Sequence, residues 1–156
     1  MSDGPAVAKA ISSGAGLAPY ADKVSELDMD LLHNSPTLLQ RRLDARADLR
    51  VVVIGNEALC WRRTRSDGEP LDWRSADPGG RGFAPVNVDD VGKAAVAVNR
   101  RLGLSFGAQD WVVESDDRAT FLEVNPCGAW MFLDGARELV IPRLVHHLAS
   151  AGTEQR

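Results

Sequence analysis

Apolar and β-branched positions come in short runs along this chain, separated by polar and turn-forming residues. Ala6 to Ile11 reads as a strand that carries one lysine, Lys9. Thr37 to Arg41 reads as a second short strand. Leu49 to Ile54 and Glu57 to Arg65 flank Gly55-Asn56, the pattern of a tight hairpin. Ser66 to Pro85 is rich in Gly, Pro and Asp and predicts a loop. Val91, Ala94, Ala95, Val98 and Leu102 then fall on one helical face, with Asn87 as N-cap and Gly103 as the stop. Ala108 to Glu114 and Ala119 to Val124 predict two strands around the acidic turn SDDR. Cys127 to Gly135 is irregular. Pro142 fits the first turn of a final helix that faces Ile141, Leu144, Val145 and Leu148 inward. Strand, hairpin, helix, hairpin, helix predicts an α+β fold, an antiparallel sheet with flanking helices.

Composition narrows the picture only a little. The chain has 156 residues, 44% apolar and 26% charged, as expected of one globular domain with a real core. A net charge of −4 offers no overall basic footprint for nucleic acid. No apolar run approaches the length of a membrane span, and the start lacks the pattern of a signal peptide. Neither nucleic acid nor membrane is expected as a partner. Cys60 and Cys127 lack metal-ligand spacing and read as free thiols in a reducing cytoplasm. Trp61, Trp73 and Trp130, if exposed, would point to an interface and a homo-oligomer. The chain opens almost directly on a strand, so sequence that normally precedes it is expected to be missing.

The stretch FLEVNP, Phe121 to Pro126, carries the candidate chemistry. Strict alternation puts Phe121, Glu123 and Asn125 on one face, and Leu122 and Val124 on the other, toward the core. If Ser115 to Arg118 form the turn, Glu114 lies opposite Ala119, Val112 opposite Phe121, and Asp110 opposite Glu123. Two opposed carboxylates about 4 Å apart cost roughly 4 kcal/mol at an effective dielectric of 20. A shared proton or a bound cation could offset that cost. Oxygen-only ligands favour Mg²⁺ or Mn²⁺, completed by water and substrate phosphate. The alternative is that both carboxylates are solvated strand charges. Lys9, Arg50, Arg62, Arg63, Arg65 and Arg74 could serve a polyphosphate, or could simply solubilise a face. No GxxxxGK[ST] loop and no GxGxxG loop is present.

Six segments in order resemble the carboxy-terminal part of ATP-grasp ligases. They are AVAKA, TLLQRRL, DLRVVVIGN, LDWR, LGLSFGAQD and FLEVNPCGAW. The branch they most resemble holds the ribosomal-protein glutamate ligases and the maturases of side-chain-crosslinked peptides (graspetides). The resemblance implies an ATP-grasp fold without its amino-terminal substrate domain. Residues 1–150 would form the nucleotide-binding region, a smaller lobe over 1–45 and a Mg-binding lobe over 46–150, with 151–156 as a tail. It implies that Lys9 touches the nucleotide and that Ser12, Ser13 and Gly14 belong to a loop closing over phosphates. Gln40, Arg41 and Leu43 would lie in the hinge that reads adenine. Asp110, Glu123 and Asn125 would ligate Mg²⁺, Arg50 would stabilise transferred phosphate, and Arg74 would stand in the DWR segment. The implied reaction is ATP-dependent phosphorylation of a carboxylate, followed by amine or hydroxyl attack on the acyl phosphate. The implied partners are ATP and a carboxylate-bearing peptide or protein. Arg41 stands where the family often has an acid, and GAW where it often has GQW. Those departures keep open a second reading, a non-catalytic binding module for a peptide or a partner subunit.

Overall fold

The computed structural model describes residues 6–10, 22–23 and 37–151. Its strands are β1 (Ala6–Ala10), β2 (Asp22–Lys23), β3 (Thr37–Arg41), β4 (Ala45–Ile54), β5 (Glu57–Thr64), β6 (Ala84–Val86), β7 (Phe106–Glu114) and β8 (Ala119–Asn125). Its helices are α1 (Trp73–Ala76), α2 (Asp89–Arg101) and α3 (Ala136–Ala151). The fold is α+β, and no helix among the described residues is long and apolar enough to cross a membrane.

The chain divides into two compact units. The first holds an antiparallel sheet in the order β2-β1-β3, together with Asp67–Pro78. The second holds Ala45–Ser66 and the chain from Gly79 onward, with an antiparallel sheet in the order β6-β5-β4-β7-β8.

The large sheet grows from the β4–β5 hairpin. Gly55 takes φ +57 at the first turn position, the conformation a two-residue hairpin turn requires. Ile54 pairs with Glu57, and the ladder runs on to Ala47 and Thr64. β4 is the central strand, buried from Ala47 through Ile54. Its odd-numbered residues Ala47, Leu49, Val51 and Val53 join Cys60, Trp111, Val113 and the α2 residues Val91 and Ala95 in one apolar cluster. Burial of that face supplies the main driving force, about 25 cal/mol per Å² of apolar surface.

The even-numbered face of β4 is different. Asp48, Arg50, Val52 and Ile54 alternate with the apolar set. α3 packs against β4, and Trp61, opposite Arg50, is fully buried and donates to Asp134 O at 2.8 Å, just before α3. Trp61 is therefore a core residue, and its large ring is not available as an interface. Trp73 and Trp130 are half-buried.

Several helix expectations need correction. The N-cap of α2 is Val88, which makes no side-chain cap bond, so Asn87 does not cap it. On α2 the buried residues are Val91, Ala95 and Asn99, while Leu102 is 56% exposed. Pro142 lies inside α3, past its first turn, and stands exposed. α3 is also rotated from expectation: Val140 is buried, whereas Ile141, Val145 and Leu148 are 46%, 62% and 63% exposed. The loop expected over 66–85 contains α1 and the start of the edge strand β6.

Burial also separates the two cysteines. Cys60 sits in the core cluster, and desolvation pushes its thiol up to about 11, whereas Cys127 is exposed. At about pH 8 a thiol reagent should label one cysteine of the folded chain, Cys127, and both after denaturation. Fast labelling of Cys60 in the native state would contradict this packing.

Candidate functional site

The β7–β8 hairpin builds the site by a route that strict alternation does not anticipate. Its turn has three residues, Ser115 to Asp117, closed by Glu114 N–H to Arg118 O at 2.9 Å. Asp117 N–H donates to Glu114 O at 3.0 Å, and Asp117 takes φ 69. This is a turn ending in a left-handed residue, the usual form for a three-residue hairpin loop. The odd length moves the register by one, so Val113 pairs with Ala119, Val112 with Thr120 and Trp111 with Phe121. The pairs expected at Glu114–Ala119 and Val112–Phe121 do not form.

A β-bulge then restores the register. Between Trp111 and Asp110 the ladder steps from Phe121 to Glu123, leaving Leu122 as the extra residue. Asp110 pairs with Glu123, Gln109 with Val124 and Ala108 with Asn125. The bulge also separates the faces. Phe121 packs on the apolar side, edge-to-face with Trp111 at 5.3 Å, while Glu123 and Asn125 follow Asp110 and Ala108 on the opposite side. Phe121 thus does not share a face with Glu123, and Leu122, 45% exposed, does not anchor the strand.

Across four strands, one row reads Trp61, Arg50, Asp110, Glu123. The next reads Leu59, Val52, Ala108, Asn125. Arg50 Nη1 donates to Asp110 Oδ1 at 2.6 Å, and Nη2 donates to Ala129 O at 2.8 Å. Arg50 is only 7% exposed, and its Nε is buried without a partner. A guanidinium already in the row therefore offsets part of the cost expected of two facing carboxylates.

Gly128 closes the site from the loop side. A Cβ there would lie 2.7 Å from Ala108 Cβ, 2.9 Å from Arg50 Nη2 and 3.1 Å from Asn125 Cβ. Only glycine allows the loop to seat against the guanidinium. Asn125 Oδ1 accepts from Cys127 N–H at 2.9 Å, which turns the chain toward Gly128.

The donors Asp110, Glu123 and Asn125 are all oxygen donors on two adjacent strands, the set a hard cation prefers. Among the described residues no group of three or more His, Cys, Asp or Glu comes together as a metal site. Two carboxylates and an amide suit an ion that completes its shell with water and phosphate.

The same sheet face carries two further charged groups. Asp48 accepts from Arg63 Nη1 at 3.1 Å and from Arg65 Nε at 3.0 Å, all three largely buried. Glu114 accepts from Thr120 Oγ1 at 2.6 Å and from Arg118 Nη2 at 3.0 Å. The Thr120 bond, joined by Arg118, holds the Glu114 carboxyl below its ordinary value of 4.5. A depressed carboxylate contributes stability that is present above the ordinary value and lost as pH falls through the folded value. Thr120→Val should move the Glu114 titration, followed by NMR, up toward 4.5.

Other residues singled out from sequence fall in the first unit. Lys9 pairs with Leu38, and Gln40 with Val7, in the β1–β3 ladder. Gln40 and Arg41 are exposed and Leu43 is half-buried. Arg74 forms a two-point pair with Asp72, Nε to Oδ1 at 2.9 Å and Nη2 to Oδ2 at 2.7 Å. Asp72 is the N-cap of α1 and accepts from Arg74 N–H. Ser12, Ser13 and Gly14 lie outside the described residues. Sequence reasoning missed Gly128 and the carbonyl of Ala129; the GAW segment was the available signal. A groove of about 760 Å³ runs beside β5, β6 and α2, and none of the candidate residues lines it.

The fold is similar to that of ATP-grasp ligases. No family model and no curated protein matches the chain. Among solved structures, the chain is similar to a RiPP-associated ATP-grasp ligase of Chryseobacterium gregarium in complex with ADP and a leader and core peptide. The TM-score is 0.80 at 20% identity, over 94% of this chain and 49% of that one. It is similar to the macrocyclase MdnC of Microcystis aeruginosa, bound with precursor peptide MdnA, with TM-score 0.71 at 20% identity over 94% and 47%. It is also similar to the ATP-grasp ligase PsnB complexed with a precursor variant, Mg and ADP, with TM-score 0.67 at 19% identity over 93% and 47%. The resemblance read from the sequence holds at the level of the fold. The chain spans about half the length of the ligases it matches.

Proposed function

We propose that this chain supplies the ATP- and Mg²⁺-binding part of an ATP-grasp ligase that joins a carboxylate to an amine or an alcohol, on a peptide or protein substrate. The observation that carries the proposal is the cross-strand row that sets Arg50, Asp110 and Glu123 side by side, with Asn125 one step along. Asp110, Glu123 and Asn125 would hold Mg²⁺ or Mn²⁺, which supplies charge neutralisation of nucleotide phosphates. Arg50 holds Asp110 in place and brings a fixed positive charge to the site. Lys9, Gln40, Arg41 and Leu43 are assigned to the nucleotide, and Arg74 to the reacting end. Chemistry through an acyl phosphate needs such positioning and charge more than an acid–base residue. The ligases it resembles are complexed with ADP, Mg and precursor peptides, which supports the choice of nucleotide, cation and peptide.

Isothermal titration with ATP and Mg²⁺ tests the assignment. Glu123→Ala should weaken binding at least about tenfold, because losing even an outer-shell partner of a metal ligand costs that much. Equal binding by the two proteins would remove Glu123 from the site.

A second reading is favoured by the Arg50–Asp110 pair itself. A row whose charge is largely offset by a guanidinium needs no metal, and suits a binding module that kept the fold. The same titration separates the two, because that module would bind Mg²⁺ and ATP no better than the variant does.

A further inference from the structure

The face opposite the charged row carries a buried polar chain that the proposed function does not use. Gln109 is fully buried. Its Nε2 donates to Ala95 O and to Asn99 Oδ1 of α2, both at 2.8 Å. Its Oε1 accepts from Trp111 Nε1 at 2.9 Å. Asn99 is fully buried as well. A pure packing role would be met more cheaply by apolar side chains of the same size, because Asn99 Nδ2 is buried without a partner and every other buried polar atom here needs one.

The placement of this chain suggests its purpose. Gln109 and Trp111 lie on either side of Asp110 in β7, and their side chains bond to each other across the apolar face. Trp111 also seats Phe121 edge-to-face, and Gln109 is paired with Val124. The ring contact thereby ties β8 to β7 on the Phe121 side of Asp110, and the Gln109 bonds hold β7 against α2 on the other side. The bulge falls at the Asp110 step, between these two anchored flanks, and Glu123 is the residue delivered there. A bulge one step further along β8 would pair Asp110 with Leu122 and leave Glu123 unpaired.

The geometry points to Asn99, Gln109 and Trp111 as positioning residues that confine the bulge to the Asp110 step and so set Glu123 opposite Asp110. They touch no ligand; they act through the backbone of β7 and through Phe121. The consequence for cation binding rests on the proposed ligand set, whereas the register itself does not.

The test uses the full chain and two measurements. The triple variant Asn99→Ala, Gln109→Leu, Trp111→Phe removes every side-chain polar atom of the chain together. Cross-strand NOEs report the register, and Mn²⁺ titration with a non-hydrolysable ATP analogue reports the site. The variant should fold, lose the Asp110–Glu123 NOEs in favour of mixed pairings, and bind Mn²⁺ about tenfold more weakly. An intact Asp110–Glu123 pair in the folded triple variant would overturn the inference. If the triple variant does not fold, Trp111→Phe decides: it keeps an aromatic ring beside Phe121 and removes the indole N–H together with the fused second ring. Mixed pairing at Glu123 supports the inference there, and wild-type NOEs overturn it. Wild-type protein with the expected NOEs but no Mn²⁺ binding would sink the ligand assignment and leave the positioning role standing.

Discussion

Asp48→Asn should destabilise the folded chain by about 3–5 kcal/mol, the range for removing one partner of a buried ion pair. Asp48 is 5% exposed and is shared by Arg63 and Arg65, whose side chains are 7% and 13% exposed. Asparagine keeps the shape and one acceptor, so packing changes little. What is lost is a negative charge that two largely buried guanidiniums share. For a chain of this length each kcal/mol moves Tm by about 2–4 °C, so the midpoint should fall by about 10 °C. Urea unfolding is the check, with the midpoint lowered and the slope unchanged. A shift of only a few tenths of a kcal/mol would mean that the arginines are compensated elsewhere.

Arg50→Met should have the second largest effect, in two opposite directions. Asp110 loses a bond of 2.6 Å to a guanidinium that is 7% exposed. The side chain of Asp110 is 27% exposed, so water recovers part of the loss, and about 2–3 kcal/mol is expected. The row of Asp110 and Glu123 then loses the positive charge that Arg50 brings to it. Mn²⁺ alone, without nucleotide, should therefore bind the variant more tightly than the wild type and restore part of its stability by mass action. Thermal unfolding with and without Mn²⁺ measures both effects. A variant that gains nothing from Mn²⁺ would show that the two carboxylates do not act on one cation.

Some of this site was legible in the residues, and some for the wrong reason. The β4–β5 hairpin follows from Gly55-Asn56 between two apolar runs, a local signal with one solution. The Asp110–Glu123 pair was also anticipated, but through a four-residue turn. In the structure an odd turn and a bulge displace the register by one each and cancel. Alternation has no term for a bulge, so the face of Phe121 and the exposure of Leu122 could not be read from period-two logic. The role of Arg50 as partner of Asp110 needs the β4–β7 pairing, a contact 60 residues apart in sequence. α3 illustrates a different limit. Val140, Leu144 and His147 form one stripe and Ile141, Val145 and Leu148 the next, so helical periodicity alone cannot choose which faces the sheet.

Asp110, Glu123 and Asn125 are proposed to hold one divalent cation together with nucleotide phosphates. Paramagnetic line broadening by Mn²⁺ maps such a site residue by residue. With a non-hydrolysable ATP analogue present, substoichiometric Mn²⁺ should broaden the amide signals of Asp110, Glu123 and Asn125 first, and Glu123→Ala should abolish that pattern. Broadening centred on the Ser115–Asp117 turn, or unchanged in Glu123→Ala, would contradict the account.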